Sequence, residues 1–171
     1  MANILESHKA GREGSKVVVF FPTTAAAELA SAYLDNRGIG NAALHSRKSQ
    51  GYRTRVSNEF RDSNVNTKHA MLVATDVAAR GVDYPGVSLV VQAGTPDNRE
   101  QFVHRSGRTG RAGTSGEAVL LVEDWEFALA SDMLRDVQGL QDLDAAPFLD
   151  VDSAASQTVS YTHLRAHETK C

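Results

Sequence analysis

The sequence predicts an open α/β domain in which a mainly parallel β-sheet is covered by helices on both faces. Short apolar runs alternate with amphipathic segments at close spacing over residues 16–137, and this alternation is typical of repeated strand–helix units. The apolar runs are uniformly hydrophobic, which indicates strands buried on both faces of a parallel sheet. The chain has 171 residues, 42% hydrophobic and 23% charged, which is enough for one such domain with its own core.

The first strand and helix lie at residues 16–38. KVVVFF (16–21) has the length and the β-branched and aromatic content of a buried strand, and Pro22 ends it. Thr23 or Thr24 can cap the helix that follows over residues 25–38. The side chains predicted to form its apolar stripe are Ala26, Leu29, Ala30, Tyr33 and Leu34.

A second strand and helix follow at residues 41–63. NAALHS (41–46) predicts a weaker strand, and SQGYRTRVSNEFRDS (49–63) predicts an amphipathic helix with Ser49 as a possible cap. The apolar residues of this helix recur every four positions and are Tyr52, Val56 and Phe60.

The remaining elements repeat the alternation. HAMLVAT (69–75), VSLVVQAG (87–94) and GEAVLLVE (116–123) predict strands, and helices are expected around residues 97–107 and over 124–137. The apolar side of the last helix is predicted to consist of Trp125, Leu129 and Leu134. Ligands of open α/β sheets bind beyond the carboxyl ends of the strands, so the loops after these ends are candidates for the site.

Periodicity and charge change near the end of the chain. We predict a lead-in over residues 1–13, one domain over 14–139 and an acidic, irregular tail over 140–171, whose end we expect not to be native to the domain. Residues 1–122 hold 15 Lys and Arg against 11 Asp and Glu, whereas residues 123–152 hold one basic and nine acidic residues. This pattern fits an anion-binding face with an acidic flank, and ordinary variation among helix surfaces can also produce it.

Composition excludes several functional classes. The single cysteine, Cys171, is the last residue, so neither a disulfide framework nor a cysteine-based metal site is expected. His163 and His167 have a helical ligand spacing, but Thr and Ala surround them and we predict no metal site. The apolar runs are too short for a membrane span, and the N-terminus has no apolar signal region. We expect an intracellular protein without a membrane partner; cytoplasm, nucleus and mitochondrion are not distinguished.

The loop ATDVAARGVDYPGV (74–87) carries one candidate site. Thr75 and Asp76 stand at a strand end, where a hydroxyl and backbone N–H groups can meet a phosphate. Gly81 allows a close backbone approach, and the Asp83 carboxylate can accept hydrogen bonds from ribose hydroxyls. The alternative is that Asp76 caps a helix and Asp83 shapes a turn.

A second candidate site is HRSGRTGRAG (104–113), which holds three arginines and no acidic residue. Guanidinium groups match phosphate geometry and keep their charge. Gly107 and Gly110 disfavour a regular helix through this stretch. The side chains that can converge on one small anion are Arg105, Arg108 and Arg111. The alternative is a solvated basic loop.

Four segments, VVVFFPTT, SQGYRTRVSNEF, MLVATDVAARGVDYPGV and FVHRSGRTGRAG, occur in this order. Together they resemble the C-terminal RecA-like domain of DEAD-box RNA helicases over residues of about 14–135. ATDVAARGVD and HRSGRTGRAG form a specific pair, whereas FPTT and SQGYR are individually weak. The resemblance implies a RecA-like fold and a part in ATP-driven unwinding or remodelling of RNA duplexes.

The resemblance assigns catalytic and ATP-binding roles. Arg108 and Arg111 match the two arginines that reach the γ-phosphate of ATP as arginine fingers. Asp83, with Gly81 before it, matches the position that contacts the ribose of the nucleotide. An arginine finger contributes about 10³–10⁵ to the rate of phosphoryl transfer.

The resemblance also assigns RNA-binding and interdomain roles. Positions that contact or approach the RNA backbone are matched by Pro22, Thr23, Arg53 and Thr75, and Gln50 is matched as the glutamine of the Gln-x-x-Arg element to which Arg53 belongs. Positions that couple the two lobes are matched by Arg80, His104 and Arg105.

The sequence departs from the family pattern at two places. Ser46 follows His45 where the family often has glycine, and Ser106 stands where a larger aliphatic residue is common. We expect the first departure to alter the loop before Gln50 and the second to loosen local packing.

The chain has neither a G-x-x-x-x-G-K-S/T phosphate loop nor an Asp-Glu-Ala-Asp tetrapeptide. The resemblance therefore implies half of a two-lobed enzyme, inactive alone, whose N-terminal RecA-like lobe binds most of the ATP and the Mg²⁺. RNA is expected across both lobes, held by its backbone with little sequence preference. The alternatives are a stand-alone, non-catalytic module that binds RNA or a partner and, more distantly, a DNA helicase of the same superfamily.

Overall fold

A computed structural model of the chain describes residues 1, 5, 8, 15–63, 70–76, 81–111 and 115–137, and the backbone of 161–164. The strands are β1 (Lys16–Phe20), β2 (Ala42–Leu44), β3 (Ala70–Ala74), β4 (Val87–Ala93), β5 (Glu117–Leu121) and β6 (Tyr161–Leu164). The helices are α1 (Thr24–Asn36), α2 (Gln50–Asp62), α3 (Arg99–Ser106) and α4 (Asp124–Leu134). No helix within the described ranges combines the length and the apolar character needed to cross a bilayer.

The strands form one sheet in the order β2-β3-β1-β4-β5-β6, in which β1 to β5 run parallel. β1 is central: Val18 is in register with Leu72 of β3 on one side and with Val90 of β4 on the other. All five residues of β1 are buried, as expected of a strand covered on both faces. The predicted open α/β class is confirmed.

Hydrophobic clusters lie on both faces of the sheet. α1 packs on one face, where Val17 and Val19 point into the same cluster as Leu34. α2 packs on the other, where Phe60 meets Val18 and the ring of Tyr84 edge-on. The first cluster includes Leu5, which is fully buried. The predicted lead-in thus contributes to the core, and the bounds at residues 14 and 139 stay a prediction.

α1 begins where the sequence predicts, but its buried face differs. Thr23 is the N-cap, and its hydroxyl accepts a hydrogen bond of 3.1 Å from the N–H of Ala26. Leu29 and Tyr33 are 74% and 44% exposed, so their place in the predicted apolar stripe is wrong. The buried residues are Ala27, Ala30 and Leu34. Small side chains on this face allow the helix to lie close to the sheet, and the larger residues point outward.

The apolar side of α4 is also partly mispredicted. Leu134 is buried, whereas Trp125 is 75% and Leu129 60% exposed. α4 contacts the sheet through a narrow cluster that includes Leu120 and Ala130. This cluster is too small to bury all the apolar side chains of α4.

β6 lies in the segment predicted to be an irregular tail. It pairs antiparallel with β5, with Leu164 opposite Ala118 and Tyr161 opposite Leu121. The prediction of irregular structure is therefore wrong for these four residues. His167, named above as a possible but disfavoured ligand, lies outside the described residues.

Candidate functional site

α3 lies along the sheet and runs opposite in direction to β4. Gln92, the second-last residue of β4, donates to the hydroxyl of Ser106 at 2.9 Å, and the Thr109 hydroxyl donates to the carbonyl of Val87, the first residue of β4, at 2.6 Å. The chain after α3 therefore lies beside the amino end of β4. The side chains of Arg105 and Arg108 nevertheless reach the carboxyl ends of β1 and β3, because both line one cleft with Phe20 and Asp76, as the α/β pattern predicts.

Arg105 is buried and paired. Its guanidinium donates to both carboxylate oxygens of Asp76, at 2.8 and 2.6 Å, and lies 5.5 Å from the centre of the Phe20 ring. Gln101 donates to the same carboxylate at 3.1 Å. Asp76 is thus the partly buried partner of Arg105, a role that neither sequence interpretation of Asp76 included. Arg105 is only 3% exposed, and its interdomain role stays a prediction.

Arg108 is half-buried next to a second cation. Its guanidinium donates to the carbonyls of His104 and Val82, at 3.2 and 3.1 Å. Burial, and then the positive charge of Arg111, lower the pKa of Arg108, while the charge of Asp83 raises it. Among the described residues, no carboxylate lies within salt-bridge distance of Arg108. The site therefore holds a partly desolvated positive charge.

Arg111 and Asp83 form an exposed ion pair. The side chains are 41% and 68% exposed, and Arg111 also donates to the carbonyl of Gly107 at 2.6 Å. Two residues that the resemblance places on one nucleotide thus already contact each other. Gly81 has a φ of 76°, a backbone conformation that favours glycine.

A cleft of about 490 Å³ opens beside these groups. It brings together four of the predicted site residues, Gly81, His104, Arg105 and Arg108. Asp83 and Arg111 are not among the residues that line it. Arg80, predicted to contact another lobe, lies outside the described residues. In the described part of the chain, no three His, Cys, Asp or Glu side chains are grouped to hold a metal ion.

The predicted RNA-binding residues lie at the carboxyl edge of the sheet. Pro22 and Thr23 are exposed just beyond β1, and Thr75 directly follows the neighbouring strand β3. Thr75 is only 7% exposed. Arg53, in the first turns of α2, donates to Gln50 at 2.6 Å. The sheet order places these residues along one edge.

Two structural contributors were missed by the sequence interpretation. Gln92 is fully buried and holds Ser106, so Ser106 makes a specific hydrogen bond where looser packing was expected. Glu126 accepts from the N–H groups of Thr95 and Glu123, at 3.1 and 3.0 Å, and joins the end of β4 to the start of α4. The signal for Gln92 was visible, because a glutamine interrupts the apolar run VSLVVQAG.

Gly116 packs closely against the stretch that carries the arginines. A Cβ atom at this position would lie 2.0 Å from the Thr109 hydroxyl oxygen and 2.5 Å from the backbone nitrogen of Gly110. We expect Gly116→Ala to lower the free energy of unfolding by about 1–3 kcal/mol, because a backbone atom must move. Urea denaturation measures this change.

Gly51→Ala is the matched control for that experiment. Gly51 lies in α2, and a Cβ atom there would have no neighbour within 4 Å. Alanine should leave stability unchanged or raise it by up to about 1 kcal/mol. Equal stabilities of the two variants would contradict the close packing at Gly116.

Comparison with known proteins identifies relatives of this site and fold. Residues 2–113 match the family described as the helicase conserved C-terminal domain. The chain is 50% identical over 123 residues, 72% of its length, to DEAD-box ATP-dependent RNA helicase 25 of Arabidopsis thaliana. It is 39% identical over 166 residues, 96% of its length, to DEAD-box ATP-dependent RNA helicase 31 of Oryza sativa subsp. japonica. It spans only 21% and 29% of these two relatives.

Solved structures with the same fold come from the same family. The DEAD-box protein SrmB of E. coli, solved bound to the regulator of ribonuclease activity A, matches with a TM-score of 0.66 and 31% identity, over 78% of this chain and 76% of that one. Helicase domain 2 of Mss116p, solved bound to an RNA duplex, matches with a TM-score of 0.66 and 29% identity, over 79% and 52%. The chain belongs to the helicase conserved C-terminal domain family and, within it, to the C-terminal RecA-like domains of DEAD-box RNA helicases.

Proposed function

We propose that this chain is the second lobe of an ATP-dependent RNA helicase, in which it completes an ATP site and an RNA track with an N-terminal lobe of the same protein. The observation that carries the proposal is the pair Arg108 and Arg111. Arg108 is half-buried, its hydrogen bonds end on carbonyls, and burial, followed by the charge of a second arginine, lowers its pKa. A strongly anionic ligand would offset the repulsion between these charges.

The γ-phosphate of ATP is the proposed anion. In the proposed mechanism Arg108 and Arg111 stabilise the negative charge on the transferred phosphoryl group. Arg111 must first leave Asp83, and an exposed ion pair offers little resistance to this exchange. Asp83 is then free to accept hydrogen bonds from the ribose, next to the backbone of Gly81.

The Mg²⁺ that accompanies ATP is proposed to be held by the N-terminal lobe together with the phosphates. This chain contributes the arginines, and its sequence has no phosphate loop. His104, which is exposed at the cleft, is proposed to contact that lobe together with Arg80. Arg105 is proposed to hold α3 in place through Asp76.

RNA is proposed to lie along the carboxyl edge of the sheet, where Pro22, Thr23, Arg53 and Thr75 are located. These groups suit the sugar-phosphate backbone, so little sequence preference is expected. The relationship to Mss116p domain 2, solved with an RNA duplex, supports this proposal. Closing of the two lobes on ATP and RNA would strain one RNA strand and disrupt a short duplex.

Arg53→Ala tests the proposed RNA edge. We expect weaker binding of a fluorescein-labelled single-stranded RNA, and a salt dependence of log K whose slope falls by about 0.7, because one phosphate contact is lost. Fluorescence anisotropy at several salt concentrations measures both. Unchanged affinity and slope for Arg53→Ala would count against the RNA edge.

A further inference from the structure

Arg47 is an exposed cation on the loop between β2 and α2. Its side chain is 63% exposed, and it donates to the Glu28 carboxylate of α1 at 2.9 Å. The neighbouring Ser46 hydroxyl lies 3.5 Å from the Thr24 hydroxyl, and Thr24 follows Thr23 on the proposed RNA edge. Arg47 is therefore close to the proposed path of RNA, although none of the family motifs in this sequence assigns it a role.

His45 lies beneath this loop without a hydrogen-bond partner. Its side chain is fully buried, and neither ring nitrogen has a hydrogen-bond partner among the described residues. The nearest carboxylate oxygen belongs to Glu28, 3.6 Å from Nε2, just beyond hydrogen-bond distance. An unpaired polar group in the interior is costly, so His45 gains if Glu28 moves slightly closer.

Glu28 thus stands between two partners, bonded to Arg47 and close to His45. We propose that Arg47 is an additional RNA-phosphate contact, and that Glu28 pairs with Arg47 in the free domain and with His45 when RNA is bound. This inference rests on the proposed RNA-binding function. It adds Arg47 to the proposed RNA-binding residues, and it adds Glu28 as the carboxylate that controls whether Arg47 is available to RNA.

The exchange is favourable on electrostatic grounds. The Arg47–Glu28 pair is largely exposed and contributes little, while a phosphate offers Arg47 a bidentate, doubly hydrogen-bonded partner. Glu28, once released, keeps a cationic or hydrogen-bonding neighbour in His45. No carboxylate is left unpaired next to the bound RNA.

The exchange also couples RNA binding to a proton. In the free domain, burial lowers the pKa of His45. The charge of Glu28 raises this pKa, and the positive charges of Lys48 and Arg47 lower it. These are the charged groups that face His45, Glu28 from α1 and the two cations from its own loop. A closer Glu28 and a phosphate-bound Arg47 both raise the pKa of His45 in the complex. RNA affinity should therefore increase as pH falls.

The test measures binding of a labelled single-stranded RNA oligonucleotide to this chain by fluorescence anisotropy. Arg47→Ala should weaken binding several-fold and lower the salt slope by about 0.7. The matched control is Arg55→Ala, since Arg55 is 62% exposed and also pairs with a glutamate, Glu59. Arg55→Ala should change neither quantity. Equal behaviour of the two variants would overturn the inference.

The carboxylate is tested by Glu28→Gln, with Glu59→Gln as its control. Glu28→Gln should tighten binding, because Arg47 is released, and should flatten the increase in affinity between about pH 8 and about pH 6. Weaker binding by Glu28→Gln would overturn the exchange. If Arg53→Ala loses affinity and Arg47→Ala does not, this inference fails and the proposed function stands. If neither variant loses affinity, the proposed RNA edge fails as well.

Discussion

Replacing Arg108 by alanine should lower RNA-stimulated ATP hydrolysis by about 10³-fold in a two-lobe protein that contains this chain. The guanidinium of Arg108 is half-buried, and its hydrogen bonds are donated to two backbone carbonyls. Its positive charge is therefore available to the transferred phosphoryl group. Arg108→Lys should restore little, because an ammonium lacks the planar fork of donors. Single-turnover hydrolysis with saturating RNA measures the effect.

Controls separate catalysis from folding in this experiment. Arg108 makes two hydrogen bonds to carbonyls and no ion pair within salt-bridge distance in the described part of the chain. Its removal should therefore change the denaturation midpoint only slightly. Arg55→Ala, which removes an exposed arginine paired with Glu59, should retain full activity. Hydrolysis by Arg108→Ala at a rate near that of the unaltered protein would contradict the arginine-finger role.

Asp76→Ala should cost about 3 kcal/mol of the free energy of unfolding, the largest stability effect that we predict. The substitution leaves the guanidinium of Arg105 buried, at 3% exposure, without its bidentate carboxylate. Gln101 also loses an acceptor. An uncompensated charge in the interior is far more costly than the loss of one neutral hydrogen bond.

A double variant distinguishes the cost of leaving the Arg105 charge buried and unpaired from the cost of lost packing. Asp76→Leu combined with Arg105→Met removes both charges and retains side-chain volume, and should recover most of the stability. Urea denaturation of the chain measures both variants. A double variant as unstable as Asp76→Ala would show that packing, and not the buried charge, accounts for the loss.

The general architecture was predictable because it depends on local patterns. Uniform apolar runs predicted β1 to β5, and a hydroxyl residue before each of the first two helices predicted the caps at Thr23 and Ser49, both of which accept hydrogen bonds from the helices that they precede. Periodicity was less informative about which face of a helix packs against the sheet. Leu29 and Trp125 fit apolar stripes but face outward, while the buried positions are Ala27, Ala30 and Leu34 in α1 and Ala130 and Leu134 in α4.

The geometry of the site depends on the order of the strands, which no local pattern contains. Asp76 and Arg105 are 29 residues apart and meet because β1 lies between β3 and β4, with α3 crossing over its end. The same path places Arg108 and Arg111 beside the loop that enters β4. The sequence motifs predicted the residue types of the site, and the fold determines which acidic group each arginine meets.

The central claim is that this chain completes an ATPase when it is joined to another lobe. The most direct test fuses it to the N-terminal RecA-like lobe of a DEAD-box relative, and compares ATP hydrolysis by the fusion and by each lobe alone, with and without RNA. We predict RNA-stimulated hydrolysis by the fusion only. A fusion that folds, binds RNA and shows no stimulated hydrolysis would contradict the claim.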